Sequence, residues 1–335
     1  MTRIAVLGAT GYTAVELIKI LLRHPNTEIT ALTSREDTRC VGEVHQSLAG
    51  RLGLYLENLT PEQIADRAEC VFCCLPHTAS AKVVPALLAR GVKVIDLGAD
   101  YRLDSPSVFE KWYDSPHPDA ARLGQVPYGL PELFRSRIKE SPLVANPGCY
   151  PTSAILPLTP LVKAGLIEPE GIIIDSKSGV SGAGRKPKQT SLYVECNESI
   201  AAYGVGTHRH LPEIEQIISK GSGRAVQVIF TPHLTPMDRG ILSTIYSVPA
   251  KPLTQDEVLD TLRAFYKDEP FVRIVEHLPA TKDVSGTNFV HISARLVGNR
   301  VITFSVIDNL LKGASGAAVQ NFNLMFGYEE TTALV

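Results

Sequence analysis

One cysteine of this chain stands in a setting that favours nucleophilic chemistry. Cys149 lies in the turn Pro147-Gly148-Cys149-Tyr150-Pro151, directly before an apolar stretch of helical character. A cysteine at the start of a helix gains from the positive end of the helix dipole, which stabilises a thiolate. The preceding glycine leaves room for a substrate to approach the sulfur. We therefore predict that Cys149 attacks an acyl carbon and forms a thioester, a good hydride acceptor.

A nucleophilic cysteine of this kind needs a group that moves protons, and histidine is the usual acid or base near neutral pH. Residues 206–214 read Gly-Thr-His-Arg-His-Leu-Pro-Glu-Ile and offer two imidazoles, His208 and His210. The residues alone do not decide between the two. Together with Glu213 they also allow a metal site, but the spacing and the placement of the cysteines match no zinc pattern. We expect acid/base chemistry here and no metal ion.

The start of the chain has the pattern of a dinucleotide-binding turn. Gly8, Gly11 and Ala14 follow a short apolar strand and open a helix. Such a turn brings the backbone close to a pyrophosphate and directs N–H groups of the helix N-terminus toward it. We predict cofactor contacts from this turn and from the loop after a later strand. The predicted residues are Gly8, Thr10, Gly11, Tyr12, Thr13 and Pro76.

The predicted cofactor is NADP(H) rather than NAD(H). The second strand ends in Thr33-Ser34-Arg35, without the acidic residue that would bind the ribose hydroxyls of NAD. Ser34 and Arg35 suit a 2′-phosphate, and the alternative is that Arg35 is a solvated loop cation. A nicotinamide site in the same chain favours a nucleophilic over a purely structural role for Cys149.

A glycine-rich loop and a separate arginine are further candidates for binding. Residues 178–186 read Ser-Gly-Val-Ser-Gly-Ala-Gly-Arg-Lys and follow an apolar strand. A flexible backbone with two cations suits a phosphate or the nicotinamide, although the spacing is not that of a nucleotide P-loop. Arg102 is another candidate for holding an anion, with a structural ion pair as the alternative. From the loop we expect Ser178 and Gly179 at the cofactor and Ser181, Gly182 and Arg185 at the substrate.

These residues require elements that position them, and the chain predicts two domains of different kinds. Residues 4–7, 29–32, 71–75 and 92–97 are predicted strands that alternate with helices, as in an α/β, Rossmann-type parallel sheet. After Cys149 a helix is followed by mostly strand-like runs, which favour an α+β domain with a mainly antiparallel sheet. We place an NADP-binding domain at residues 1–147 and 310–335. A catalytic, substrate and oligomerisation domain covers residues 148–309, with Cys149 at the join.

Composition and charge exclude several classes of protein. A chain of 335 residues suggests about two domains, and 44% hydrophobic with 20% charged residues is typical of a globular protein. The 33 basic and 35 acidic residues leave a net charge of −2, which provides no field for nucleic acid or an anionic membrane. There is no signal-peptide pattern and no apolar run of about 18 residues. Six cysteines are too sparse for a disulfide scaffold, so we expect a cytoplasmic protein.

Taken together, the motifs resemble the N-acetyl-γ-glutamyl-phosphate reductases of the semialdehyde dehydrogenase superfamily. The resemblance runs along nearly the whole chain, and its most specific segments are residues 146–152 and the glycine-rich loop. It implies that Cys149 forms the acyl-enzyme and that His208 is the acid/base, with His210 as a neighbour that also stays possible. It further implies Tyr203 and His210 near the substrate, Asn309 near the nicotinamide, and a homodimer or homotetramer.

The activity implied by the resemblance is the NADPH-dependent reduction of an acyl phosphate in arginine biosynthesis. N-acetyl-γ-glutamyl phosphate would become N-acetylglutamate semialdehyde and phosphate through a Cys149 thioester. One alternative is a related reductase for carrier-bound aminoadipyl or glutamyl phosphate, or for aspartyl phosphate. Another is a non-enzymatic NADP sensor, against which the Pro-Gly-Cys turn and the two histidines argue. A purely structural protein would leave the special turns unexplained.

Overall fold

The structure is a computed structural model that describes residues 1–335 and divides into two compact units. The first unit comprises Met1–Pro147 and Ala314–Val335, and the second comprises Gly148–Gly313. The chain therefore re-enters the first unit at Ala314, slightly later than the residue 310 expected from the sequence. None of the helices combines the length and the apolar character needed to cross a membrane.

The first unit is built on a six-stranded sheet. Its strands are β1 (Thr2–Leu7), β2 (Thr27–Thr33), β3 (Leu56–Glu57), β4 (Cys70–Cys73), β5 (Lys93–Asp96) and β6 (Leu143–Ala145). The strand order is β3-β2-β1-β4-β5-β6, and every neighbouring pair is parallel. This is the order of doubly wound dinucleotide-binding folds, so the predicted Rossmann-type sheet is confirmed. The central strands β1 and β4 are almost entirely buried, as expected where helices cover both faces.

Helices connect the strands of the first unit. They are α1 (Tyr12–Leu21), α2 (Val41–Val44), α3 (Pro61–Arg67), α4 (Ser80–Leu88), α5 (Pro106–Tyr113) and α6 (Pro131–Glu140). Residues 100–146 show little periodicity in the sequence, yet they contain α5, α6 and β6. Both helices begin with a proline, Pro106 or Pro131, at a position where its missing N–H costs nothing. Their short length hid them, because helices of only 8 and 10 residues give little helical periodicity.

The second unit is built on a seven-stranded sheet. Its strands are β7 (Ile172–Gly179), β8 (Ala201–Ala202), β9 (Val228–Thr235), β10 (Ile241–Ser247), β11 (Val272–Ile274), β12 (Val290–Val297) and β13 (Arg300–Ile307). The order is β11-β12-β13-β10-β7-β9-β8. Neighbours are antiparallel except for β7 with β9 and β11 with β12. The predicted mainly antiparallel sheet is therefore confirmed.

Four helices belong to the second unit: α7 (Cys149–Lys163), α8 (Tyr193–Cys196), α9 (His210–Ser222) and α10 (Gln255–Phe265). The α7 helix is buried along nearly its whole length and packs on one face of the sheet. A hydrogen bond of 2.7 Å joins the hydroxyls of Ser153 on α7 and Ser243 on β10. This packing holds the first residue of α7, Cys149, in a rigid frame.

The last helix, α11 (Gly316–Phe326), completes the first unit and follows a short π-helix at Leu311–Ser315. Nearly every residue of α11 is buried. Asn321 donates to the carbonyl of Gly129 at 2.9 Å, and Lys93 donates to the carbonyl of Met325 at 2.7 Å. The C-terminal helix is thus a part of the first unit's core.

Candidate active site

Cys149 is the first residue of α7, as the sequence predicted. Gly148 precedes it in an extended conformation and provides no side-chain cap. The carbonyl of Gly148 accepts hydrogen bonds from the Thr152 amide at 3.0 Å and the Thr152 hydroxyl at 2.9 Å. Cys149 itself is partly exposed, so a substrate can reach it. A thiol at this position lies in the positive field of the helix N-terminus.

His208 lies in a cluster of aromatic side chains of the second unit. Its imidazole packs against four rings, with centroid distances of 5.6, 5.4, 5.4 and 4.8 Å to Tyr150, Tyr203, Phe230 and His210. The backbone N–H of His210 donates to Nδ1 of His208 at 3.1 Å. Burial in this cluster, with Arg209 beside it, lowers the pKa of His208 to about 4. The ring is therefore neutral around neutral pH.

Two tyrosines connect this cluster to the nucleophile. The Tyr203 hydroxyl donates to the Tyr150 hydroxyl at 3.1 Å, and the Tyr150 hydroxyl donates to the carbonyl of His233 at 3.0 Å. Burial raises the pKa of Tyr203 to about 12, and a negative charge on Cys149 acts in the same direction. Burial likewise raises the pKa of Tyr150. Both phenols are therefore protonated around neutral pH. Tyr150, the residue after Cys149, packs against both His208 and His210, so the cluster adjoins the nucleophile's position in the chain.

Two residues that sequence reasoning did not assign a role lie against the nucleophile. A Cβ added to Gly313, in the π-helix, would lie 2.9 Å from the Cβ of Cys149. Any side chain at this position would displace the nucleophile. The buried Glu213 on α9 accepts a hydrogen bond from the N–H of Gly148 at 2.9 Å through Oε1. The sequence held no local signal for either contact, because both partners are distant along the chain.

The glycine-rich loop is held by hydrogen bonds rather than being flexible as expected. The Ser181 hydroxyl donates to the carbonyl of Asp238 at 2.6 Å, and the Asn309 amide donates to the Ser181 hydroxyl at 3.0 Å. The Asn309 carbonyl oxygen accepts the N–H of Gly240 at 2.8 Å. A side chain at Gly179 would overlap the backbone of Asp238. Internal contacts therefore occupy several of the groups predicted to meet cofactor and substrate.

The remaining predicted members of this loop differ in their surroundings. The Ser178 hydroxyl is buried and donates to the carbonyl of Gly179 at 3.0 Å. A Cβ at Gly182 would lie 3.1 Å from the Ser178 hydroxyl, so this glycine too sits in a tight place. Arg185 and Lys186, at the end of the loop, are both exposed. These two cationic side chains are therefore accessible to an anion.

Arg102 belongs to the first unit and is buried. Its Nε donates to the carbonyl of Asn146 at 2.8 Å, and Nη2 donates to the carbonyl of Leu97 at 2.9 Å. These two bonds join the end of β5 to the segment that follows β6. The guanidinium thus has a structural role of its own, with two of its hydrogen bonds going to backbone carbonyls.

The predicted dinucleotide turn has the required geometry. Gly8 follows β1 with φ +76°, and a side chain there would overlap the carbonyl of Cys74. Gly11 precedes α1 with open space on its side-chain face, and no side chain caps the helix. Tyr12 and Thr13 begin α1, so their backbone amides lie in its first turn. These features fit a pyrophosphate at the helix N-terminus.

The topology of the first sheet supports the same location. The chain reverses its direction of strand addition between β1 and β4, and ligands of such sheets bind at the carboxyl ends of strands at this switch point. The loop with Gly8 and Thr10 follows β1, and the loop with the exposed Pro76 follows β4. The predicted cofactor residues of these two loops therefore lie on the two sides of the switch point.

A polar cavity of about 530 Å³ adjoins the turn. It is lined by Thr10, Ser34, Glu36, Asp37, Thr38 and Arg39. Ser34 lies where the sequence predicted, whereas the arginine in the lining is Arg39, and Arg35 is exposed outside it. Arg39 forms an ion pair of 2.6 Å with Asp37. Sequence reasoning missed Arg39 because it looked only at the residues directly after the strand.

One group of side chains has the composition of a metal site. A nitrogen of His277, a carboxylate oxygen of Asp283 and a nitrogen of His291 all lie within 4.8 Å of one another. Ligand atoms around a tetrahedral zinc, with bonds of about 2.0–2.1 Å, are only about 3.4 Å apart. The side chains of His277 and Asp283 are exposed, and exposed groups of this kind commonly lie together without a metal ion.

Comparisons with known proteins agree over the full chain. Residues 3–141 match the family model "Semialdehyde dehydrogenase, NAD binding domain", and residues 149–309 match "Semialdehyde dehydrogenase, dimerisation domain". Curated relatives named N-acetyl-gamma-glutamyl-phosphate reductase include one from Rhodopirellula baltica, 53% identical over 99% of this chain and 98% of its own length. Another, from Moorella thermoacetica, is 50% identical over 100% of this chain and 98% of its length.

Solved structures with the same fold are more distant in sequence. Aspartate semialdehyde dehydrogenase II from Vibrio cholerae has a TM-score of 0.75 at 18% identity and covers 98% of each chain. Aspartate semialdehyde dehydrogenase with NADP from Candida albicans has a TM-score of 0.73 at 16% identity, over 97% of this chain and 98% of that one. At these identities the likeness establishes the fold alone.

Proposed function

The chain belongs to the N-acetyl-γ-glutamyl-phosphate reductases of the semialdehyde dehydrogenase family, and from this membership we propose its reaction and the roles of its residues. The enzyme reduces N-acetyl-γ-glutamyl phosphate to N-acetylglutamate semialdehyde and phosphate, with NADPH as the reductant. The observation that carries the proposal is Cys149 at the N-terminus of α7, in a chain 53% identical to a reductase of that name.

Cys149 is the nucleophile in this proposal. Its thiolate attacks the γ-carbonyl carbon of the acyl phosphate, a C–S bond forms, and the C–O bond to phosphate breaks. Phosphate departs with the bonding electron pair and leaves a thioester on Cys149. The helix dipole of α7 lowers the cost of the thiolate, and the exposed thiol leaves the attacking sulfur accessible.

When bound, NADPH supplies the hydride that reduces the thioester carbon. The product of that reduction is a hemithioacetal on Cys149. Its collapse breaks the C–S bond, releases the semialdehyde and restores the thiolate. Cys149 therefore acts first as nucleophile and finally as leaving group, and a low thiol pKa serves both roles.

His208 is the proposed acid/base residue and acts as a donor to the developing oxyanion. Its Nδ1 already accepts the N–H of His210, so Nε2 carries the ring hydrogen of the neutral imidazole. A neutral N–H donor in a buried cluster stabilises an alkoxide without first losing a charge of its own. Tyr203 lies beside His208 and is proposed to line the substrate pocket. His210 remains the second candidate for the acid/base role.

The proposed cofactor site runs from the turn after β1 to the cavity at the end of β2. The pyrophosphate lies at the N-terminus of α1, close to Gly11, Tyr12 and Thr13. The 2′-phosphate lies in the cavity that Ser34 and Arg39 line. The cavity contains cationic and hydroxyl groups suited to phosphate, which supports NADP(H) as the cofactor. Asp37, also in the lining, pairs with Arg39 at 2.6 Å, and a bound phosphate would take its place on the guanidinium.

We propose that the enzyme is a homodimer or homotetramer formed through the second unit. Ile173, Ile229 and Tyr246 stand side by side across β7, β9 and β10, on the sheet face opposite α7. Their exposures of 41%, 58% and 36% leave an apolar row in contact with solvent, which favours burial against a second copy. Light scattering after gel filtration tests the oligomeric state, and a monomer would contradict the proposal.

All six cysteines are free, which supports a reducing compartment such as the cytoplasm.

The activity is tested by following NADPH oxidation while the kinase of the preceding step generates N-acetyl-γ-glutamyl phosphate in place. The reverse reaction is the sharper experiment. Phosphate-dependent reduction of NADP is measured with N-acetylglutamate semialdehyde, with aspartate semialdehyde, and with carrier-bound aminoadipate and glutamate semialdehydes. We expect the N-acetyl substrate to be strongly preferred. A higher kcat/KM with any of the others would overturn the assignment of the acyl chain.

A further inference from the structure

We propose that Glu213 is a positioning residue that holds the Cys149 turn in its reactive conformation. The inference rests on the proposed function, because it takes Cys149 as the nucleophile. Glu213 lies in the first turn of α9, and its side chain is buried, with 1% of the residue exposed. Its Oε1 accepts the N–H of Gly148 at 2.9 Å.

The contact matters because the residue before the nucleophile is a glycine. Glycine restricts its own backbone dihedrals less than any other residue. Here both peptide groups of Gly148 are held: Glu213 binds the N–H, and the amide and hydroxyl of Thr152 bind the carbonyl. On the other side of the nucleophile lies Gly313, where an added Cβ would come within 2.9 Å of the Cβ of Cys149. The direction of the Cα–Cβ bond of Cys149 is therefore set by three separate segments.

The electrostatic surroundings of Glu213 favour a charged carboxylate as the acceptor of the Gly148 N–H. Glu213 lies in the first turn of its own helix, α9, and contacts the N-terminus of α7. The positive ends of two helix dipoles thus meet at one carboxylate, which offsets part of the cost of burying its charge. A charge-assisted hydrogen bond to a backbone N–H is also stronger than one from a neutral acceptor.

Glu213 also connects the nucleophile to the proposed acid/base residue. His210 is the first residue of α9 and binds Nδ1 of His208 through its backbone N–H. Glu213, in the first turn of the same helix, accepts the N–H of Gly148. One rigid segment therefore positions His208 directly and Cys149 through Glu213, so that the two groups keep a constant separation.

Three substitutions separate geometry from charge. Glu213→Gln keeps an acceptor oxygen at the same distance from the backbone and removes the charge. Glu213→Asp keeps the charge, but its side chain is one methylene shorter, so the oxygen no longer reaches the Gly148 N–H. We expect Glu213→Gln to retain kcat within about fivefold, and Glu213→Asp and Glu213→Ala to lose about 30- to 100-fold, with KM for the acyl phosphate little changed. Equal loss in the Gln and Asp variants, or wild-type kcat in the Ala variant, would overturn the proposal.

Glu215→Ala is the matched control. Glu215 lies on the same helix and also accepts a backbone N–H, that of Val228, at 3.0 Å. The substitution removes a hydrogen bond of similar length that does not involve the Cys149 turn. We expect the Glu215→Ala variant to have a lowered melting temperature but a kcat near the wild-type value. A kcat loss equal to that of Glu213→Ala would identify the Glu213 effect as general destabilisation of α9 and so contradict the proposal.

Alkylation of Cys149 by iodoacetamide gives a readout that does not depend on the substrate. The rate is measured against pH for each variant, and its midpoint reports thiolate formation. We expect the midpoint to rise in Glu213→Ala, where the turn no longer holds the thiol against the α7 dipole. It should not rise in Glu213→Gln. Midpoints that are the same in wild type and in Glu213→Ala would overturn the positioning role, even if the chain proved to reduce a different acyl phosphate.

Discussion

The backbone N–H of His210 donates a hydrogen bond to Nδ1 of His208 at 3.1 Å. A backbone amide can only donate, so Nδ1 presents its lone pair and the ring hydrogen stands on Nε2. Burial keeps this imidazole neutral near neutral pH by lowering its pKa to about 4. The contact therefore fixes the tautomer of His208 and gives it a donor to direct at a substrate oxygen.

The lowered pKa of His208 predicts a stability that depends on pH. In the folded state this pKa is about 4, against an ordinary value of 6.5, so between these values the unfolded chain binds more protons. The unfolding free energy must then fall as the pH is lowered through this range. His208→Asn should flatten that fall. Melting temperatures of both proteins from about pH 4 to pH 7 check this; parallel curves would contradict the assignment.

The two histidines should differ in their effect on catalysis. We expect His208→Asn to lower kcat by about 100- to 1,000-fold, the usual loss when an oxyanion donor is removed. His210→Ala keeps the backbone N–H that orients His208, and we expect a smaller loss, about tenfold or less. Steady-state kinetics of both variants decide the question. A larger effect at His210 would transfer the acid/base role to that residue.

Cys149→Ser should abolish turnover while leaving the cofactor site intact. A serine hydroxyl is not ionised near neutral pH and is a far weaker nucleophile than a thiolate, so the acyl-enzyme forms far more slowly. We expect at least about a thousandfold loss of kcat, with NADPH affinity unchanged in a fluorescence titration. Cys196→Ser, at a partly exposed cysteine of α8, is the control and should leave turnover unaffected. Wild-type turnover in Cys149→Ser would rule out the thioester route.

The two arginines near the end of β2 give a test of cofactor recognition. Because Arg39 lines the cavity and Arg35 does not, Arg39→Ala should raise the Kd for NADPH by about tenfold or more, the cost of losing a charge-assisted bond to phosphate. Arg35→Ala is the matched control, and we expect a change of about twofold or less. Binding of NADH should respond to neither substitution. The reverse order of the two effects would restore Arg35 as the phosphate ligand.

Asp96 at the end of β5 should make the first unit less stable at high pH. Burial, reinforced by Asp100, raises the pKa of Asp96 from 3.8 to about 7. The folded state therefore holds a proton that the unfolded chain releases, and stability falls as the pH rises through this range. Asp96→Asn keeps an oxygen for the N–H of Gly98, now bonded at 2.9 Å, and removes the titration.

We expect the melting temperature of Asp96→Asn to exceed that of the wild type by more at about pH 8 than near pH 5, where only part of the pH-dependent loss has occurred. A melting temperature below that of the wild type at both values would contradict the raised pKa of Asp96. Because the wild-type carboxyl is neutral at the lower pH, the comparison between the two values isolates the charge from the change of side chain.

Features that depend on neighbouring residues along the chain were determined by the sequence. The alternation of apolar runs and turns predicted the parallel sheet of the first unit and the mainly antiparallel sheet of the second, because hydrophobic periodicity reflects local burial. The same holds for the turn with Gly8 and for Cys149 at a helix start, since both depend on a few adjacent residues. These signals were enough to indicate the reaction class.

Contacts between distant segments were decided only by the tertiary structure. Glu213 meets Gly148, Gly313 packs against Cys149, and Asn309 ties down a loop whose glycines suggested flexibility. The presence of Arg39 rather than Arg35 in the cavity lining likewise depends on the path of the chain after β2. None of these has a periodic or motif signal, because packing joins residues that spacing does not relate. The sequence therefore indicated the type of reaction, whereas the contacts that position the reacting groups became clear only from the tertiary structure.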